Sequence, residues 1–460
     1  MAEVYPQSGA KENYGLRTGV LGPFETLAQS VSAMAPSTSP SLTIPLVFAI
    51  AGNATWLVYL MATGATLLIG FCVSRFARLS ASPGSLYTYT AETLPPVFGV
   101  AAAWGLLLAY LATAASVAGG ALYYTNVLSQ QFLHWTPPIL VTLVFICVAA
   151  GFVAYRDVKL SAELMLWIEI CSVSLIGIVL TVMPIHFGFH FDMDQFRLKG
   201  VSFSNLGPAL VLSMFSFVGF ESATALGGEA RNPLRTIPRA VIQCAILAGI
   251  FFMLCSYSEV LGFRGESGKL SETTSPLHLL ADKAGVSPLG TGIDFGALIS
   301  MVACVLACVT AASRVLMRMA REKLIPALFE KTSERHGTPV AAVVLSTGVV
   351  FIPTAVMAMR GVSGSDVYDL LGSLSVFGFL TAYALVAAAL PFARRSRGQH
   401  SHIVAATSVL AVLVVITIAV FDLRSTTDVA HARLPYIYLL YIAAAFAWYA
   451  ARRSRAVVKA

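Results

Sequence analysis

The sequence predicts an all-α polytopic membrane protein of about twelve transmembrane helices, on three observations. Of its 460 residues, 57% are hydrophobic and only 12% charged, against about 25% charged in a soluble protein, and the mean hydropathy is +0.77. Apolar stretches of about 20 residues, long enough to cross a bilayer, recur along the whole chain. Two of these stretches are interrupted. One carries Ser32-Ala33-Met34-Ala35-Pro36-Ser37-Thr38-Ser39-Pro40 and the other Phe217-Val218-Gly219-Phe220-Glu221-Ser222. Unpaired backbone in lipid costs several kcal/mol per group, roughly, so such breaks are expected only where protein or a cavity surrounds them.

In order, the predicted spans cover 22–50, 54–73, 96–128, 138–155, 161–185, 203–228, 237–262, 291–319, 339–359, 367–392, 402–421 and 434–451. Met1 to Arg17 is polar and lacks the short apolar core of a signal peptide. With the N-terminus placed in the cytoplasm, 22 of the 30 Lys and Arg residues fall on the inner side, including Arg75, Arg156, Arg231, Arg314 and Arg394. That asymmetry predicts an even number of spans with both termini inside. It also accounts for the +7 net charge without nucleic acid. The seven cysteines all fall in apolar spans without metal-ligand spacing and read as packing residues. No metal or cofactor is expected.

Three connections carry recognisable motifs. The chain has Pro83-Gly84-Ser85-Leu86-Tyr87-Thr88-Tyr89 after span two, and Gly219-Phe220-Glu221 followed by Glu229-Ala230-Arg231-Asn232-Pro233 and Ile237-Pro238 around span six. After span eight it has Arg314-Val315-Leu316, Ala320-Arg321-Glu322 and Leu324-Ile325-Pro326. In these motifs the chain resembles the amino acid–polyamine–organocation superfamily of secondary transporters, over spans one to about ten. One position departs from the pattern. Members with known substrates carry a glycine-rich break in span one, where this chain has Ala35-Pro36-Ser37. The resemblance implies two inverted five-helix repeats, residues 22–185 and 203–392. Residues 1–21 then form a cytoplasmic segment, 402–451 two peripheral helices and 452–460 a cytoplasmic tail. It also implies an amino acid permease in the inner, cytoplasmic membrane, with a small-molecule substrate. Interrupted helices in corresponding positions of two halves point to a substrate site near the bilayer midplane.

The residues of the breaks suit a zwitterion. Ser39 can cap a helix and Pro40 fits its first turn, so the outer half of span one is expected to begin there. Its free N–H groups and positive dipole end suit a carboxylate. Carbonyls ending the inner half of span one, and those near Phe217, suit an ammonium group. Ala35, Pro36, Ser37, Thr38, Ser39, Phe217, Val218, Gly219, Phe220 and Ser222 are therefore the substrate-binding candidates. Gly219 opens backbone angles closed to other residues. By resemblance, the span-six aromatics act as gates. Plain packing of Phe217 and Phe220, and a simple proline kink at Pro36 and Pro40, are the alternatives.

Charges inside spans are costly and usually functional. Glu221, next to the break, is a candidate gate, proton carrier or counter-ion, with a neutral hydrogen-bonding Glu that holds the unwound segment together as the alternative. Glu169 lies mid-span in span five, where some relatives carry a lysine, and is a second coupling candidate, the alternative being that it simply faces another helix. Glu259 lies near the outer end of span seven and is expected to reach water. Tyr110 in span three, with Ser373 and Ser375 in span ten, are weaker candidates, and Gly372 to Gly378 is expected to be locally flexible. In the fold that the resemblance implies, a sodium site would combine span-one carbonyls with span-eight hydroxyls; Thr310 and Ser313, on one helix face, are the candidates, and hydrogen bonds to their own backbone are the alternative. Coupling to protons is expected on account of Glu221, with sodium symport or exchange as alternatives. No paired aspartates or zinc motif lie inside spans, and the histidines fall at span ends or outside. That argues against an intramembrane enzyme. A channel or a substrate sensor on the same fold is the alternative of another class.

Overall fold

The computed structural model describes residues 14–156, 158–187, 191–264, 267–273, 275–399, 401–424 and 429–458. Lys11, His190, His400 and Lys459, named or counted in the sequence reading, lie outside these residues, as does most of the N-terminal segment 1–21.

The described chain is helical throughout, and its only strand-like pairing is an isolated bridge between Leu21 and Ala230. The first interrupted stretch divides into α1 (Pro23–Met34), a π-helical turn at Ser39–Thr43 and α2 (Ile44–Ala51). A glycine turn at Gly52 (φ 54°) leads to α3 (Thr55–Ala77) and then α4 (Ser85–Ala91). The long α5 (Pro96–Leu133) starts on a proline, as helices tolerate. It is followed by α6 (Ile139–Arg156), α7 (Val158–Phe187) and the short α8 (Met193–Phe196). The second interrupted stretch begins with α9 (Leu206–Phe215) and resumes only as a 3-10 segment, Ser222–Leu226. Asn232 in the left-handed region and Pro233 then open α10 (Pro233–Gly262). Two short helices, α11 (Ser267–Glu272) and α12 (Pro276–Lys283), precede α13 (Ser287–Arg321). The chain ends with α14 (Val340–Met359), α15 (Gly364–Arg395), α16 (His402–Arg424) and α17 (Val429–Val458). Ser363 caps α15, accepting from the Asp366 N–H at 3.0 Å.

Ten stretches among the described residues are long and apolar enough to cross a membrane. The first, Pro23–Ala77, contains both predicted spans one and two, and Phe203–Phe215 is a shorter apolar helix. Large apolar side chains such as Phe145, Trp167, Ile403 and Leu440 are exposed at 69–74%, as a lipid-facing surface requires. The protein is a multi-pass membrane protein.

Packing places α5 at the centre, between α13 and α15, all three buried along most of their length. α1 lies against α7, α10 and α13, and α3 against α10. α16 and α17 are peripheral and largely exposed.

Two sequence expectations are corrected here. The stretch after span two is more than a connection: residues 85–90 form the buried helix α4, because Leu86, Tyr87 and Tyr89 are apolar enough to be drawn into the core. Gly372 to Gly378 is not a flexible stretch but part of continuous α15. A Cβ at Gly378 would lie 2.4 Å from the Gly105 carbonyl oxygen, so this glycine serves close backbone contact with α5.

Candidate functional site

The two breaks, far apart in sequence, meet in the middle of the protein. α1 ends at Ala35, which sits in the left-handed region (φ 47°, ψ 69°) and returns its N–H to the Ser32 carbonyl at 3.1 Å. Glycine adopts this conformation without penalty, and for alanine it costs about 1–2 kcal/mol. The structure thus puts the strain at the position where the sequence lacks a family glycine. Pro36 and Ser37 form the turn, and Thr38 N–H bonds the Ala35 carbonyl at 2.8 Å.

The helix resumes at Ser39 in a π-turn with Pro40 in its first turn, as the sequence suggested. Ser39 is not the cap, however. It is itself helical, the cap position falls on Thr38, and Thr38 makes no side-chain cap bond. Its Oγ1 is buried without a hydrogen-bond partner among the described residues. The reason is local: a π-turn starting at Ser39 already places Thr38 in right-handed helical geometry, φ −70°, ψ −38°, rather than the extended geometry of a side-chain cap.

On the other strand of the site, α9 stops at Phe215 and residues 216–221 form successive tight turns. Gly219 has φ 92°, and a Cβ there would lie 2.8 Å from the Ala33 carbonyl oxygen. Only glycine permits both the angle and this approach of one break to the other. Further bonds join the same two segments and tie the first of them to α13. Ser222 Oγ donates to the Gln29 carbonyl at 3.0 Å, Ala223 N–H donates to Ser30 Oγ at 3.1 Å, and Gln29 Nε2 donates to the Ala307 carbonyl of α13 at 2.9 Å. The span-six segment does not resume as an α-helix. Thr224 Oγ1 bonds the Glu221 carbonyl at 2.7 Å and shares a 2.5 Å hydrogen bond with Ser85 Oγ of α4, so its hydroxyl serves turn geometry. Residues 35–41 and 213–227 are all buried.

Glu221 is fully buried and held between two tyrosines. The Tyr110 hydroxyl of α5 donates to Oε1 at 3.0 Å, and the Tyr383 hydroxyl of α15 donates to Oε2 at 2.6 Å. Tyr383 escaped the sequence reading. Phe220 packs on Tyr383 with centroids 5.6 Å apart, and Phe217 packs edge-on to Phe252 at 5.2 Å. Val218 is buried between these two aromatics in the chain.

Glu169 of α7 lies in a second polar cluster. Ser300 of α13 donates to its carboxylate, 2.9 and 3.0 Å from the two oxygens. One turn further along α7, Ser172 Oγ is 2.6 Å from Ser37 Oγ in the first break. Ser32, at the end of α1, is buried beside the Glu169 carboxylate. Cys304 of α13 donates to the Ala33 carbonyl at 3.2 Å.

Thr310 and Ser313 are not at the break. They lie six and nine residues beyond Cys304 on α13, about 9 and 13 Å along the axis. Ser313 Oγ donates to the Thr310 carbonyl at 2.8 Å and accepts from Arg314 Nη1 at 3.2 Å. Thr310 Oγ1 is buried without a partner among the described residues. Ser375 Oγ turns back to the Gly372 carbonyl at 2.7 Å. Ser373 lines a separate cavity of about 290 Å³ with Asp369, Asp422 and His431. Glu259 does not reach water. It is fully buried, because α12 and α7 cover the end of α10.

A buried ion pair was also missed as such, although both partners stand in the quoted motifs. Arg314 Nη2 and Nε donate to the two Glu229 oxygens at 2.9 and 3.2 Å, and both side chains are fully buried. The pair ties the exit of the second break to α13. Nearby, Leu21 N–H donates to the Glu229 carbonyl and Arg231 N–H to the Leu21 carbonyl, at 3.2 and 2.7 Å. The signal available in the sequence was a carboxylate and an arginine at the margins of apolar stretches.

The chain matches the family described as Amino acid permease over residues 40–427. It is 25% identical over 367 residues to the branched-chain amino acid permease BcaP of Bacillus subtilis (strain 168), covering 75% of each chain. It is also 25% identical over 367 residues to a methylthioribose transporter of the same organism, covering 76% of this chain and 75% of that one. With the human cationic amino acid transporter 4 it shares 26% identity over 364 residues, 74% of this chain and 54% of that protein.

Proposed function

The chain belongs to the amino acid permease family, and from that premise we propose that it is a secondary active transporter. It carries a zwitterionic amino acid between the two breaks by alternating access, coupled to protons. The observation that carries this reading is the contact of the breaks, with Gly219 against the Ala33 carbonyl in the protein interior. Two unwound segments side by side offer helix N–H groups at Ser39 for a carboxylate, and carbonyls at Ala33 and Phe217 for an ammonium group. Thr38 Oγ1 is a buried hydroxyl with hydrogen-bonding capacity to spare at the same place.

The architecture proposed is twelve spans in two inverted repeats, 22–185 and 203–392. Pro23–Ala77 counts as spans one and two, and the stretch from Phe203 through the second break counts as span six. Both termini lie in the cytoplasm and the membrane is the cytoplasmic one, on the distribution of Lys and Arg.

For the side chain, the reading favours a neutral apolar one, as the name of BcaP suggests for that relative. Phe217, Val218, Phe220 and Met34 are apolar, and the nearby carboxylates are engaged: Glu221 by two tyrosines and Glu169 by Ser300. A cationic side chain would have to share these carboxylates with the hydroxyls that hold them.

Glu221 is the proposed proton carrier. It is the titratable group in the break, and its tyrosine partners come from two other helices, so a change in its protonation alters the contact of span six with α5 and α15. The test is uptake into proteoliposomes. Isoleucine is expected to accumulate above equilibrium under an inward proton gradient. Glu221→Gln should retain exchange and lose gradient-driven accumulation. Undiminished accumulation in that variant removes Glu221 from the role of carrier.

A further inference from the structure

Glu259 is a carboxylate that the proposed cycle does not use. It stands in the last turn of α10, is 0% exposed, and among the described residues neither of its side-chain oxygens has a hydrogen-bond partner. Glu221 and Glu169, by contrast, each accept from hydroxyl groups.

The surroundings are closed. A Cβ at Gly262, one turn beyond, would meet Leu280 of α12 at 2.3 Å and Met183 Sδ of α7 at 3.0 Å. Tyr59 of α3 is within electrostatic range of Glu259, and its hydroxyl pairs with Ser216 Oγ at 3.1 Å. On its own helix the facing titratable group is Cys255. Lys283 of α12 is directed to the Gly262 carbonyl at 3.3 Å and lies over the Phe263 ring. Arg264 pairs with Asp192 beyond the helix end. Among the described residues, no cation therefore compensates a charge on Glu259. An uncompensated carboxylate is not sustained in a dry interior, whereas a neutral acid is tolerated there.

We infer that Glu259 is a proton-binding site separate from Glu221, occluded beneath α12 and loaded or emptied only when the end of α10 is uncovered. The binding of the proton stands without the transport reading. Its part in turnover rests on that reading.

The test uses full-length protein in lipid vesicles and infrared spectroscopy at neutral pH. Wild type is expected to show a protonated-carboxyl band that exchanges slowly in D₂O. Glu259→Gln should lose that band, while Glu221→Gln and Glu169→Gln keep it. Absence of the band in wild type, its persistence in Glu259→Gln, or immediate exchange in D₂O each overturns the inference. The wild-type measurement holds even where a variant fails to fold. Loss of the band in Glu259→Gln, together with undiminished proton-driven isoleucine uptake in Glu221→Gln, supports Glu259 while removing the carrier role of Glu221.

Discussion

Replacing Glu229 by glutamine removes one charge from a pair that has no access to water. Arg314 and Glu229 are both 0% exposed and joined by two hydrogen bonds of 2.9 and 3.2 Å. In the variant the guanidinium keeps the glutamine amide oxygen, the Thr310 carbonyl at 3.1 Å and Ser313 Oγ at 3.2 Å as acceptors, but no anion. All three are neutral. Breaking a buried pair from one side costs about 3–5 kcal/mol, because a charge is left desolvated without its counter-ion. That is roughly a hundredfold to a few-thousandfold in the unfolding equilibrium, at about 1.4 kcal/mol per factor of ten. Glu229→Gln combined with Arg314→Met removes both charges, so most of the loss is expected to be recovered. Equilibrium unfolding in mixed detergent micelles measures both variants against wild type. A loss under about 1 kcal/mol in the single variant, the range of an exposed pair, would refute the reasoning. So would a double variant no more stable than the single one.

Three further outcomes follow from the break itself. Tyr383→Phe removes the 2.6 Å bond to Glu221 and should cost about 1–3 kcal/mol in the same unfolding assay, more than Tyr110→Phe with its 3.0 Å bond. Gly219→Ala forces a side chain into φ 92° and against the Ala33 carbonyl, so it is expected to lower the melting temperature and abolish isoleucine uptake, where unimpaired uptake would deny that the close contact matters. Thr38→Val replaces an unpartnered hydroxyl by a methyl of similar size, so stability should be unchanged or higher, whereas the thermal stabilisation by isoleucine should shrink if the hydroxyl serves the substrate.

Hydropathy made the long spans legible because membrane helices must be apolar for about 20 residues, whatever they pack against. Predicted limits such as 138–155 and 339–359 lie within a residue or so of α6 and α14. The breaks were legible for a related reason: Pro36, Pro40 and Gly219 mark backbone that cannot continue as an ordinary helix. What lay hidden depends on tertiary distance. Tyr383 is 162 residues from Glu221, Ser300 is 131 from Glu169, and Arg314 is 85 from Glu229. Nothing local in the sequence names these partners. The covering of Glu259 was hidden for the same reason, since α12 is too short and mixed in character to announce where it docks. Ser39 was misread as a cap because the π-turn that includes it follows from packing, not from propensity.

The central claim is that an amino acid binds where the two breaks meet. Cys304 reports on that place directly, with its sulfur 3.2 Å from the Ala33 carbonyl, while Cys171 is exposed elsewhere on the same chain. Alkylation of both by a membrane-permeant maleimide in lipid vesicles, read by mass spectrometry, measures access to the site. The account predicts that Cys304 reacts slowly as the protein cycles, and that isoleucine suppresses this reaction while Cys171 is labelled as before. Unchanged labelling of Cys304, in the presence of an amino acid that the protein demonstrably accumulates, would contradict it.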